Sequence, residues 1–460
     1  MMLARLLSPN DFGLVGMVTA FTGVLSWFQD FGLSAATVQR ASVTEEQLST
    51  LFWINMAFGA VLGAVAVATA PAIAAFYHEP RLFWVTVVLA ASFLFNAAGT
   101  QHSAILQRQM RFAVIALINV LALTAGAATA ILGAKAGYGY WALVATIVIP
   151  PIIATAGFWL STGWVPGTPR RQAGIRSMIH FGASLTLTGL LVYLGYNAEK
   201  IMIGRFWGAD AIGIYGRAYQ ITNIPVDNLN SAVGEVAFSA LSRLQDDSTR
   251  MRTYFLKGFS LILGLTLPIT IVCLLFADDV VFVLLGPKWT AVTGIMRLLA
   301  PTTMVFAIIN PLGWLVFSMG LVKRGLQVGP ILATLMISGS AIALPYGPKA
   351  VAFAYSTVLV LWVIPHIWWC VHGTAISVRD VLLAVSRPLG SAIPAGILAY
   401  GARLMCGEFF SPLPRLVIES GVLGIVFFGV LLFVAGQKSL YLDLLRGIRG
   451  PSSATSGTAN

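Results

Sequence analysis

The sequence predicts an all-α membrane protein of many spans, built as two like halves. Three observations lead there. Hydrophobic residues make up 58% of the chain and charged residues only 10%, against about 45–50% and about 25% in ordinary soluble domains. The apolar residues are gathered into runs of the length that crosses a bilayer, about 20 residues each. A phrase near the start, LARLLSPNDFGLVG at residues 3–16, returns as IGRFWGADAIGIYG at residues 203–216.

On the bilayer ruler thirteen candidate spans follow one another, at roughly 11–35, 48–75, 81–104, 111–133, 137–161, 178–206, 210–236, 253–277, 290–318, 324–345, 350–372, 381–404 and 414–435. The connections between them are short, and none can hold a soluble catalytic domain. The closing GPSSATSGTAN is small and polar, a composition that buries too little surface to order itself. The organisation expected is an N-terminal lobe at 1–161 with its first helix truncated, a cytoplasmic linker at 162–177, a C-terminal lobe at 178–372, two additional helices within 381–435, and a cytoplasmic tail at 436–460.

Orientation follows from the basic residues in the loops. One set of alternate loops, with the C-terminal tail, carries seventeen of them, among them Arg40, Arg108, Arg170, Arg171, Arg252, Lys257 and Arg387. The other set carries eight, including Arg5, Arg81, Arg205, Lys288 and Arg415. Basic residues favour the cytoplasmic side, so the C-terminus is expected there. The same rule accounts for the net charge of +11 without nucleic acid.

Thirteen spans would then leave Met1 on the outer side. The repeat offers a way out: Arg5, Gly13 and Gly16 match Arg205, Gly213 and Gly216 at a constant offset of 200. In the second copy a full apolar span precedes the arginine, and in the first copy only its last residues do. Restoring that helix makes fourteen spans with both ends in the cytoplasm. Within the phrase, Ser8, Pro9 and Asp11 form a helix start of the capping-box type. Gly13 and Gly16 share a face that permits close backbone approach.

Chemistry-bearing residues are few. Cys273, Cys370 and Cys406 have no paired spacing, and His366 and His372 lack metal-ligand spacing. No metal or cofactor is expected. Charged groups at membrane depth usually face a bundle interior or a wet cavity, and the candidates are Asp30, Glu199, Lys200, Arg217, Asp227, Glu235 and Arg297. Tyr219, Asn223, Asp227 and Asn230 recur at three- and four-residue steps and so share a helical face. That stripe is expected to line an internal space, with Pro225 kinking the helix. Arg217 comes first for binding an anionic substrate, because its planar fork of donors suits phosphate oxygens. Lys200 and Arg40 come next, with Asn223 and Asp227 as further cavity candidates. Asp30, Glu199 and Asp227 are candidates for holding a coupled proton or sodium ion, or for neutralising the cations. Asn55, Asn96, Asn119 and Asn310 read as interhelical glue.

LARLLSPNDFGLVGMVTAF, DFGLSAATVQR followed by EEQLSTLFWIN, and NAEKIMIGRFWGADAIGIYGRAYQITNIPVDNL resemble the polysaccharide transporter family, the colanic-acid-exporter-like flippases of the MOP superfamily. The resemblance covers nearly the whole chain and departs at the N-terminus, where family members carry a complete first helix. It implies two pseudo-symmetric six-helix lobes around a central cavity, followed by two extra helices. It also implies alternating-access transfer of an undecaprenyl-pyrophosphate-linked oligosaccharide from the cytoplasmic to the periplasmic leaflet of the bacterial inner membrane, for capsule, exopolysaccharide or O-antigen synthesis. The partners implied are that substrate, the inner-membrane lipids, and a polysaccharide polymerase with its chain-length machinery. A multidrug/cation antiporter of the same superfamily would want a carboxylate cluster in the first lobe, where Asp30 stands alone. A membrane polysaccharide polymerase or ligase would need large outer loops, and a purely structural subunit would not need paired halves. A transporter rather than an enzyme is expected.

Overall fold

A computed structural model describes residues 1–26, 28–29, 37, 43–169, 176–245, 247–406, 410–439 and 441. Asp30, Arg40 and the closing tail lie outside them, as does the side chain of Glu235. The regular elements of the described chain are all helices: α1 (Met2–Leu6), α2 (Pro9–Ser26), α3 (Glu45–Tyr77), α4 (Arg81–Arg108), α5 (Phe112–Lys135), α6 (Tyr140–Thr162), α7 (Arg176–Arg243), α8 (Ser248–Leu275), α9 (Ala277–Leu284), α10 (Thr290–Ser318), α11 (Val322–Ala343), α12 (Pro348–Val371), α13 (Val378–Cys406) and α14 (Pro412–Gly429), the last continued by a π turn at Val430–Val434.

Ten of these segments are long and apolar enough to cross a membrane among the described residues, and they coincide with ten of the thirteen expected spans. The other three expected spans are α2, whose described part ends at Ser26, and the two arms of α7. Those arms run together as 68 residues, broken where Gly208 takes φ 81° and ψ −175°. That backbone is costly for any residue with a Cβ, so the glycine lets the chain turn between two spans without a loop. Pro225, expected to kink the second arm, lies inside it with helical dihedrals.

Local chemistry sets the helix starts. The Asp11 carboxylate accepts from Ser8 N at 3.0 Å and Ser8 Oγ at 2.6 Å, while Asp11 N donates back to Ser8 Oγ at 3.3 Å. Thr44 and Gln47 form the same reciprocal box ahead of α3. Each satisfies amides that a helix start leaves without partners.

Two compact units divide the chain, Met1–Arg217 with Gly329–Val351, and Ala218–Val328 with Ala352–Asn460. In the first, α3 packs on α4, α5 on α6, and α4 on α6. In the second, α8 packs on α10 and α13, and α13 on α14. Its core is apolar and layered: Phe255, Phe259, Leu263, Leu312 and Leu315 form one cluster, and Leu267, Phe276, Leu423 and Phe427 another.

The second unit also carries an ion-pair network at one end. Asp278 and Asp279 stand in the first turn of α9. Asp278 accepts from Arg297 at 2.5 Å and from Arg403 at 3.1 Å. Asp279, 1% exposed, receives the guanidinium of Arg415 on both oxygens and has Arg403 at 3.6 Å. Arg403 also donates to the carbonyl of Leu275 at 2.9 Å. A buried carboxylate needs this many donors, since stripping water from it without them is expensive. Arg297, expected among the membrane-depth candidates, belongs to this network.

Candidate functional site

The two copies of the repeated phrase meet inside the first unit. A methyl placed on Gly13 would lie 1.7 Å from the carbonyl oxygen of Ala209, and one on Gly213 would lie 2.0 Å from that of Pro9. Positions 9 and 209 correspond, as do 13 and 213, so the contact is reciprocal. Asn10 Nδ2 donates to Asp210 Oδ2 at 3.2 Å, again position to position. Only glycine lets two helix backbones touch this closely.

Arg217 leaves this crossing one turn beyond Gly213. Its guanidinium lies 3.8 Å from the centroid of the Phe12 ring, itself a residue of the first copy. The ring attracts the cation through its quadrupole, an interaction worth about 0.5–2 kcal/mol according to desolvation. Stacking engages the face of the guanidinium, while its N–H donors lie in the plane. Arg205, the counterpart of Arg5, likewise sits over aromatic rings, at 5.6 Å from Phe76 and 5.8 Å from Phe206.

On the first arm of α7, Lys200 Nζ donates to Asn197 Oδ1 at 2.8 Å, one turn back. Glu199 is 1% exposed, and among the described residues neither of its oxygens has a hydrogen-bond partner. The neighbouring turn is tightly packed, with a methyl at Gly195 falling 2.7 Å from Ala333 Cβ.

The polar stripe of the second arm belongs to the other unit and divides by burial. Asn223, 1% exposed, donates to the carbonyl of Tyr219 at 3.1 Å, and its side-chain oxygen accepts from Thr302 at 3.5 Å. Tyr219 meets Tyr355 edge to face. Asn230 is buried, and Asp227 is exposed. Arg217, Lys200 and Glu199 therefore fall in one unit, and Asn223 and Asp227 in the other. Of the asparagines expected as glue, Asn55 is buried with neither side-chain atom hydrogen-bonded among the described residues, and Asn96 lines a cavity of about 280 Å³ with Thr100, Ser103 and Thr155.

Two residues escaped the sequence reading. Phe12 looked like one apolar position among many, and nothing local marks it as the platform for Arg217. Glu419 is 0% exposed on α14, with neither oxygen hydrogen-bonded among the described residues. Its signal was present, a lone carboxylate inside the apolar run VIESGVLG.

The family model for "polysaccharide biosynthesis protein" matches residues 2–293. The chain belongs to that family. Its relatives include the teichuronic acid biosynthesis protein TuaB of Bacillus subtilis, 27% identical over 83% of this chain and 79% of that one. The lipopolysaccharide biosynthesis protein WzxC of Escherichia coli is 26% identical over 69% of this chain and 65% of its own length. The succinoglycan biosynthesis transport protein ExoT of Rhizobium meliloti is 21% identical over 99% and 93%. Among solved structures, the lipid II flippase MurJ in an inward closed conformation matches at TM-score 0.72 and 14% identity, over 96% of this chain and 95% of that one. An inward-facing multidrug transporter of the MATE family matches at 0.65 and 14%, over 80% and 91%. The fold is thus the all-α MOP fold expected from the sequence, and the family is one of polysaccharide biosynthesis.

Proposed function

We propose that this chain moves an undecaprenyl-pyrophosphate-linked oligosaccharide from the cytoplasmic to the periplasmic leaflet of a bacterial inner membrane by alternating access, with its C-terminus in the cytoplasm. The observation that carries this is the family match over residues 2–293. The fold does not choose between cargoes, since a lipid flippase and a multidrug transporter both share it. Membership of a polysaccharide family does, because its relatives are named for surface polysaccharides.

Within that reading Arg217 binds the pyrophosphate. Phe12 holds the guanidinium plane, and the in-plane donors meet phosphate oxygens two at a time. Lys200 adds a point charge, oriented by Asn197. Glu199 is the coupling group: a buried carboxylate with no hydrogen-bond donor on it among the described residues gains most from taking up a proton or a cation. Arg40, Asp30, Asn223 and Asp227 remain candidates for the cytoplasmic mouth and the path. The export machinery receiving the cargo is a polymerase with its chain-length partner, and the chain itself catalyses no covalent step.

The test is complementation of a strain lacking its own oligosaccharide flippase. Arg217→Ala should abolish surface polysaccharide with normal membrane levels of the protein. Glu199→Gln should lower export and remove its dependence on the proton gradient. Normal export by Arg217→Ala would remove that residue from the substrate path. Failure of the unmodified chain to restore any polysaccharide, with drug efflux in its place, would turn the reading to the antiporter.

A further inference from the structure

The cavity of about 280 Å³ lies wholly inside the first unit, between α4 and α6, with neither Arg217 nor Glu199 in its lining. On α4 it is lined by Asn96, Thr100, Ser103 and Gln107, whose three- and four-residue steps keep them on one helical face. Across from them on α6 stand Pro151, Ala154, Thr155 and Phe158. Close packing fixes the distance between the two walls: a methyl on Gly99 would fall 2.6 Å from Thr155 Oγ1. Phe158, 8% exposed, is itself held in a cluster with Leu106 and Ile118. The volume stands at the lower edge of the range for small-molecule sites, about 300–1,000 Å³, with room for one ring rather than a chain.

The lining is polar and carries no charge. Side-chain amides and hydroxyls come from five residues, and no Asp, Glu, Lys or Arg is among the described lining residues. A phosphate or carboxylate would find no cation there, and a cation would find no carboxylate. An apolar ligand would strip water from the amides and hydroxyls without replacing its hydrogen bonds, which is costly. A ligand that both donates and accepts escapes these penalties. Thr100 and Thr155 give their protons to the carbonyls of Asn96 and Phe95, at 2.8 and 2.6 Å, so their oxygens serve a ligand as acceptors. Gln107 Nε2 donates to Ser103 Oγ at 3.4 Å, which leaves the Ser103 proton to be given. The Asn96 amide carries both kinds of group. Pro151, Ala154 and Phe158 add an apolar side for C–H groups. Hydroxyls around a ring with C–H faces are the chemistry that matches this lining.

We propose that this cavity binds a single neutral sugar ring, either free or carried on a lipid. Asn96 and Ser103 donate to its hydroxyls, Thr100 and Thr155 accept from them, and a C–H face lies towards Pro151 and Phe158. The site is independent of which cargo the protein carries.

Native mass spectrometry of the full chain, purified in lauryldimethylamine oxide, tests it by titration with octyl β-glucoside, methyl β-glucoside, octyl tetraethylene glycol and octyl phosphate. A glucoside should bind one to one, ahead of the glycol ether, which has the same tail and no sugar, and ahead of the phosphate. Retention of octyl glucoside alone assigns the site to a sugar carried on a lipid, and equal retention of methyl glucoside assigns it to a free sugar. The double variant Asn96→Leu/Ser103→Ala should bind about thirtyfold more weakly, about 2 kcal/mol at about 1 kcal/mol per neutral hydrogen bond. Thr100→Val, nearly unchanged in shape, should weaken binding about fivefold, about 1 kcal/mol, with the melting temperature kept. Asn10→Ala, which removes an amide outside the cavity, should leave glucoside binding unchanged. Equal binding of the glycol ether and octyl glucoside, a preference for octyl phosphate, or an unchanged affinity in both the double variant and Thr100→Val would overturn the proposal.

Discussion

The two copies of the repeated phrase share a backbone and differ in their cargo of side chains. Where the helices touch, the copies agree: glycine stands at 13 and 213 and again at 16 and 216. Each copy presses its glycine against the other's first turn, Gly13 on Ala209 and Gly213 on Pro9. Away from the crossing they part. The first copy has Phe12 and Met17 where the second has Ile212 and Arg217. Met17 is 1% exposed and packs as core, whereas Arg217 is a cation over the Phe12 ring. Even the helix starts differ, a Ser8–Asp11 box in one and the left-handed Gly208 in the other. Symmetry is kept where two backbones must fit and given up where one copy carries a cation.

The largest effect should come from breaking the shared part. Gly13→Ala drives a methyl into the Ala209 carbonyl with no flexible side chain to yield, and should destabilise the protein by about 3 kcal/mol. Gly213→Ala should behave alike, and the pair should fall short of additivity because both act on one crossing. Gly16→Ala is the control: its methyl would have only the end of Ile212, at 3.8 Å, and the change should stay within about 0.5 kcal/mol. Thermal unfolding in detergent reads all three. Equal melting of the variants at Gly13 and Gly16 would mean the close approach is not what holds the crossing.

Making the copies alike tests the divergent part. Arg217→Met gives the second copy the residue of the first, and should reduce export tenfold or more, about 1.4 kcal/mol in binding terms, with the chain still folded in the membrane. Phe12→Ile gives the first copy the residue of the second. It removes the platform but leaves the cation, so about 1 kcal/mol of stability should go and export should fall less than in Arg217→Met. An equal fall in the two variants would assign the phenotype to packing rather than to charge. The smallest effect is expected at Asn10→Ala, where an exposed hydrogen bond to Asp210 is lost and about 0.5 kcal/mol with it.

Much of this was legible because the signals are local. Ten spans could be read as runs of apolar residues, since crossing a bilayer needs only length and hydropathy along one helix. The Ser8–Asp11 start could be read because its hydrogen bonds close within one turn. The glycines could be matched because the offset of 200 is constant. What Arg217 rests on was not legible, as Phe12 is 205 positions away in sequence and an ordinary apolar residue by type. Nor was the pairing of Arg415 with Asp279 across 136 positions, although each stood out as a charge beside an apolar run. Asn55 shows the reverse: a polar side chain at membrane depth is expected to find a partner, and neither of its side-chain atoms has one among the described residues.

By itself, then, the sequence determined the class, the spans, the internal repeat and the family, because each depends on composition or on spacing along one chain. Tertiary structure alone decided that the two repeats press on each other, that one arginine stacks on the opposite copy, and that the long helix breaks at Gly208. It also decided which buried carboxylates are paired, Asp279 fully and Glu199 and Glu419 without a hydrogen bond among the described residues. The reason is physical: burial and pairing belong to contacts between segments far apart in the chain, and no local pattern encodes which segments meet.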